Sequence, residues 1–139
     1  MNSKNLVPQW VRIVVGLLAV ANFLFGVSGY FSAADLFQNS TEGVDLAASG
    51  ARYAGYEFAA RNLAIGVALL IVAMVGVPET IAIMTIVRAL IELQTIIIGV
   101  VTGNITAGVG VAVVIFCVEA FVIKTMFSIV AKRDANLPH

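Results

Sequence analysis

Eight residues interrupt apolar stretches of this chain with groups that hydrocarbon does not tolerate: Glu57, Arg61 and Asn62 in one, Arg88, Glu92, Gln94 and Thr95 in a second, and Glu119 in a third. Glu57 and Arg61 stand four residues apart, as do Arg88 and Glu92. In a helix that offset puts both members of a pair on one face, and the Glu-to-Arg order of the first pair is the favoured one. A carboxylate beside a guanidinium in a water-poor site can take and return a proton while the arginine anchors an anion or a carbonyl oxygen. That is the chemistry of isomerisation, cyclisation or epoxide opening. Glu57, Glu92 and Glu119 are the candidate acids and bases. Arg61, Asn62, Arg88, Gln94, Asn22 and Tyr56 are the candidate ligand-binding residues. A carboxylate without a cationic partner is the one to hold a proton at neutral pH, which singles out Glu119, or Glu92 if Arg88 turns elsewhere.

The elements that must position these groups follow from composition. The chain has 139 residues, 60% of them hydrophobic and only 12% charged, with a mean hydropathy of +1.01, outside the range of water-soluble domains. Eight acidic and eight basic residues cancel, so no global field attracts nucleic acid, and none is expected as a partner. One cysteine, Cys117, and one histidine, His139, exclude a disulfide framework, a Cys-x-x-Cys pair and a His/Cys metal cluster. Neither a metal nor another cofactor is expected.

Crossing a hydrocarbon layer of about 30 Å takes about 20 mostly apolar residues in helical form. Such stretches run over about 10–31, 54–77, 80–101 and 105–130, predicting one all-α domain over 1–139, an integral membrane four-helix bundle. Trp10 and Tyr30 sit where interfacial aromatics belong. Lys4 ahead of the first run and Ser32, Ala33, Ala34 behind it resemble a signal peptide, but the reading is a retained span. Pro78 suits a helix start, and Thr102-Gly103-Asn104 is a turn signal within an otherwise unbroken apolar run. The apolar runs are continuous rather than alternating, which argues against a β-barrel.

The stretch 32–53, with Asp35, Glu42, Asp45 and Arg52, is an acidic loop between spans. Lys4, Arg12, Lys124, Lys132 and Arg133 gather towards the chain ends, so the positive-inside rule puts both termini in the cytoplasm and the acidic loop outside. Asn39-Ser40-Thr41 matches a glycosylation acceptor, read more simply as a loop cap. Lys124 reads as a snorkelling side chain and Cys117 as an inert core thiol. Gly99-x-x-x-Gly103 suits close packing within the bundle or the seam of a homo-oligomer.

A charge at mid-membrane costs about 2.5–3.5 kcal/mol on insertion scales, against about 0.3–0.6 gained per Leu, Ile or Val. The buried charges are therefore expected to face inward and pair. At about 1.5 Å per residue, Arg61 and Glu92 reach similar depths from opposite edges, which predicts an Arg61–Glu92 contact and a polar chamber lined by all four helices, with Asn22 at the same level. Membrane lipid and a lipophilic small molecule are the expected partners. Two readings stand beside a binding or acid/base site: an accessory subunit of a membrane complex whose ion pairs only orient helices, and a small proton-coupled transporter.

Arg12-Ile-Val-Val-Gly-Leu-Leu in the first span, Ala60-Arg61-Asn62-Leu-Ala-Ile-Gly66 in the second and Val87-Arg88-Ala-Leu-Ile-Glu92-Leu in the third resemble the DoxX-like superfamily of small bacterial membrane proteins, over most of the chain. The resemblance implies a four-helix fold in the bacterial cytoplasmic membrane. The activities of the superfamily are diverse, some tied to quinone-linked sulfur oxidation and others to redox defence or assembly, and function does not follow from the fold. The lack of a cysteine pair here speaks against a thiol-redox role.

Overall fold

The computed structural model of the chain describes residues 7–31, 49–103 and 105–136. Lys4, the acidic stretch with Asp35, Glu42 and Asp45, the Asn39 acceptor, Asn104 and His139 lie outside the described residues. The regular structure is entirely helical: α1 (Gln9–Phe31), α2 (Ser49–Val75), α3 (Pro78–Val101) and α4 (Ala107–Ala135). Each holds a stretch, of 23, 23, 24 and 29 residues respectively, long and apolar enough to cross a membrane.

The distribution of side chains is that of a protein whose solvent is hydrocarbon. Large apolar residues such as Leu17, Leu24, Met74, Ile98 and Val114 face outward, each more than 60% exposed, where in water they would be driven inside. The buried stripes are made of small and polar residues. Along α1 the stripe is Val11, Val15, Ala19, Asn22, Gly26 and Gly29, at intervals of three or four that keep one helical face. Along α3 it is Pro78, Ile81, Ala82, Thr85, Arg88, Ala89, Glu92 and Gly99. Along α4 it is Val109, Ala112, Glu119, Val122 and Met126. Small residues at helix contacts let backbones approach, the source of packing energy when both sides of the contact are apolar.

The fold divides into two compact units, one drawn from Met1–Val15 and Ile71–His139, the other Gly16–Leu70. In the second, α1 and α2 meet at glycines: a β-carbon at Gly26 would lie 2.7 Å from the backbone nitrogen of Leu63, and one at Gly66 would lie 2.9 Å from that of Phe23. In the first, α3 packs against α4. Helix α2 stops at Val75, short of the expected boundary at Val77, because Gly76 turns with φ +70° while its N–H still bonds Val72 O at 2.9 Å. Pro78 then opens α3 without wasting a donor. The guanidinium of Arg12 lies against Gly76, and Arg133, near the end of α4, pairs with Glu79 at 2.6 Å. The start of α1, the α2–α3 turn and the end of α4 thus share one end of this unit. Helix α4 runs five residues past its expected end at Val130, to Ala135, with Lys132 and Arg133 in the last turn, where cations suit the helix dipole. Gly99 and Gly103 do not form one helical stripe: Gly99 is buried on α3, whereas Gly103 lies beyond its end with φ +69°.

Candidate functional site

Three of the candidate residues come together between α3 and α4. Arg88 Nη1 donates to Glu92 Oε1 one turn along the same helix, and stands 3.8 Å from Glu119 Oε1 of α4. The side chains are 7%, 11% and 0% exposed, in the order Arg88, Glu92, Glu119. Ile81, Ala82 and Ala89 flank them on the buried face of α3, and Ala112, Val122 and Met126 on that of α4. The single tryptophan, Trp10, packs its ring on Phe121, two residues from Glu119, with centroids 5.4 Å apart.

The hydrogen bonding of this cluster is incomplete. Arg88 Nε and both carboxylate oxygens of Glu119 are buried without a hydrogen-bond partner among the described residues. Thr85, one turn before Arg88 and fully buried, gives its hydroxyl proton to Ile81 O at 2.7 Å and so does not serve the carboxylates. Fully ionised, the three side chains sum to one negative charge in an apolar surround. Buried polar atoms in such a setting are costly unless something meets them.

The other candidates make contacts of their own. Among the described residues Glu57 and Arg61 pair with each other, at 3.8 Å, with side chains 51% and 73% exposed respectively. Glu92 takes its cation from its own helix, in place of the expected Arg61. The reason lies in α2, whose buried positions are Gly55, Ala59, Gly66 and Leu69, leaving Glu57 and Arg61 on the opposite side. They stand about one and two turns beyond Tyr53, where that span begins, within reach of a polar boundary for long side chains. Tyr56 is exposed and stacks on Tyr30, centroids 5.9 Å apart. Gln94 is exposed, about 200° around α3 from Glu92. Asn62 spends an amide hydrogen on Phe58 O. Asn22 is buried and donates to Leu18 O at 2.7 Å. Cys117, expected in the core, is exposed, being two residues from Glu119 and so on the far side of α4. An apolar hollow of about 260 Å³ lies against Ala19, Phe23, Gly66 and Leu70, and no candidate residue lines it. Among the described residues no three His, Cys, Asp or Glu side chains gather as for a metal ion.

Sequence reasoning missed Thr85, although its spacing of three from Arg88 put it on the same face, and the Glu79–Arg133 pair, whose members lie 54 residues apart. No family model, curated protein or solved structure matches this chain. The DoxX-like resemblance gains no support from those comparisons and rests on its short motifs alone.

Proposed function

We propose that this chain is an integral membrane protein that binds a lipophilic small molecule at Arg88, Glu92 and Glu119, with Glu119 as the group that takes and gives a proton. The observation that carries this reading is Glu119 itself: fully buried, with neither oxygen hydrogen-bonded among the described residues, while Arg88, the cation it faces at 3.8 Å, is already tied to Glu92. Two carboxylates and one guanidinium reach neutrality in a low-dielectric interior by holding one proton between them. Glu92 fixes Arg88, whose Nε–H has no acceptor among the described residues. Glu119 then stands ready to protonate or deprotonate the bound molecule away from water. Intramembrane ionisable residues mark functional sites by default because their insertion is so unfavourable.

The test is native mass spectrometry of the purified protein released gently from detergent. A small molecule carried by the wild type and lost in Glu119→Gln, with helical content unchanged by circular dichroism, is the expected result. An empty wild type together with an unfolded Glu119→Gln would overturn the reading in favour of an accessory subunit whose buried charges only orient helices.

A further inference from the structure

We infer that the molecule held at this site is a lipophilic primary amine, bound as its ammonium against the Glu119 carboxylate in exchange for the carboxyl proton; this rests on the reading of Glu119 as the proton-exchanging group. Charge comes first. Arg88 and Glu92 form a neutral pair, leaving the Glu119 carboxylate as the surplus. The charged groups that face it from α3 are that same pair. The stretch of α1 in this unit contributes Arg12, which sits at Gly76. Lys124 on α4 itself is exposed, and Glu79 and Arg133 pair with each other at the far end of the two helices. The cluster is therefore one positive charge short, and either a proton or a monovalent cation supplies it.

Hydrogen bonding narrows the cation. Both oxygens of Glu119 lack donors among the described residues. A bound proton supplies one O–H, and a neutral alcohol supplies one more, whereas an ammonium group carries three N–H donors and meets both oxygens at once. A metal ion finds too few ligands among the described residues. Ala89, Ala112, Val122 and Met126, buried on the same two helices, make an apolar surround that suits an alkyl substituent and repels a hydrated ion. When an ammonium arrives from water, the Glu119 O–H bond breaks, the proton leaves to solvent, and carboxylate and ammonium remain. When the free base arrives from the lipid, the same proton moves from Glu119 oxygen to nitrogen, an N–H bond forms, and the same ion pair results. Glu119 is closed in this structure, so entry of the ligand needs an opening of the packing around it, and association is slow relative to diffusion.

Binding is read by calorimetry rather than by tryptophan fluorescence, because Trp10 packs on Phe121, which lies across α4 from Glu119. The full chain in detergent is titrated with n-octylammonium chloride and with n-octanol, and calorimetry in two buffers of different ionisation heat counts protons. We expect the wild type to bind the ammonium about a hundredfold more tightly than the alcohol, the size expected for a desolvated charge pair, with about one proton released per amine at neutral pH, where the amine itself is charged. Glu119→Gln loses that preference and the proton release, while Glu119→Asp, which keeps the charge, restores both in part. Equal binding of amine and alcohol, weakened together by Glu119→Gln, would overturn the amine assignment and leave Glu119 as a ligand-binding group. A response to neither compound that depends on Glu119, from variants of unchanged helical content, would overturn the amine assignment and count against the underlying site as well.

Discussion

Removing the guanidinium of Arg88 leaves Glu92 and Glu119 facing each other from α3 and α4 with no counter-charge and almost no solvent. Breaking a buried pair from one side costs about 3–5 kcal/mol, while replacing both partners with apolar groups is often neutral. Arg88→Ala is therefore expected to lower the unfolding midpoint in detergent sharply, and Arg88→Leu with Glu92→Leu to recover most of the loss. A double variant as unstable as the single one would show that the pair is not the source of the effect. The Glu57–Arg61 pair shares the spacing but not the environment, and Glu57→Gln is expected to change stability by at most about 1 kcal/mol. The i,i+4 pattern made both pairs legible in the sequence and could not tell them apart. What separates them is the company each keeps: Arg88 and Glu92 ride the face that carries Ala82, Thr85 and Ala89, whereas Glu57 lies across the helix from Gly55 and Ala59. Reading the small residues rather than the large apolar ones as the inward face would have sorted the two.

At the scale of the helices, four apolar runs of membrane length were plain, because that length is set by the thickness of the hydrocarbon and hardly depends on partners. Boundaries moved where residues distant in sequence meet. Helix α4 reaches Ala135 and its last turn holds Arg133, which meets Glu79, and nothing local to the Lys132-Arg133 stretch announces that partner. The glycines divide in the same way. Gly26 and Gly66 each have a neighbouring backbone where a β-carbon would stand, whereas Gly16 has nothing within 4 Å. Gly26→Ala and Gly66→Ala are expected to destabilise by about 1–3 kcal/mol through overpacking, while Gly16→Ala gains a few tenths to about 1 kcal/mol from helix propensity. Gly76→Ala combines a left-handed backbone with a methyl directed at the Arg12 guanidinium, and a loss of about 1–3 kcal/mol is expected from the backbone strain alone. Thermal unfolding of the four variants in one detergent orders them, and Gly26→Ala as stable as Gly16→Ala would contradict the close approach of α1 and α2.

For the molecule as a whole, the open quantity is its direction in the membrane. The start of α1, the turn at Gly76 and the end of α4 lie together, joined by Arg12 against Gly76 and by Arg133 with Glu79. The start of α1 and the end of α4 therefore lie at one end of the unit drawn from Met1–Val15 and Ile71–His139. That end also carries Lys132, and cationic residues flanking spans are retained in the cytoplasm because moving them across costs more than moving apolar chain. We propose that this end is cytoplasmic. A fluorescent protein fused after His139 is then expected to mature and fluoresce, and alkaline phosphatase at the same place to stay inactive. Charge, not helix order, sets this direction, so replacing Lys132 and Arg133 with Gln while adding two Lys to the stretch between α1 and α2 should turn a measurable share of molecules over and raise phosphatase activity. Fusion results unchanged by that exchange would mean that Lys4 and Arg12 at the first span fix the orientation by themselves, and the same two fusions on a variant with both replaced by Gln would then separate the two sources of retention.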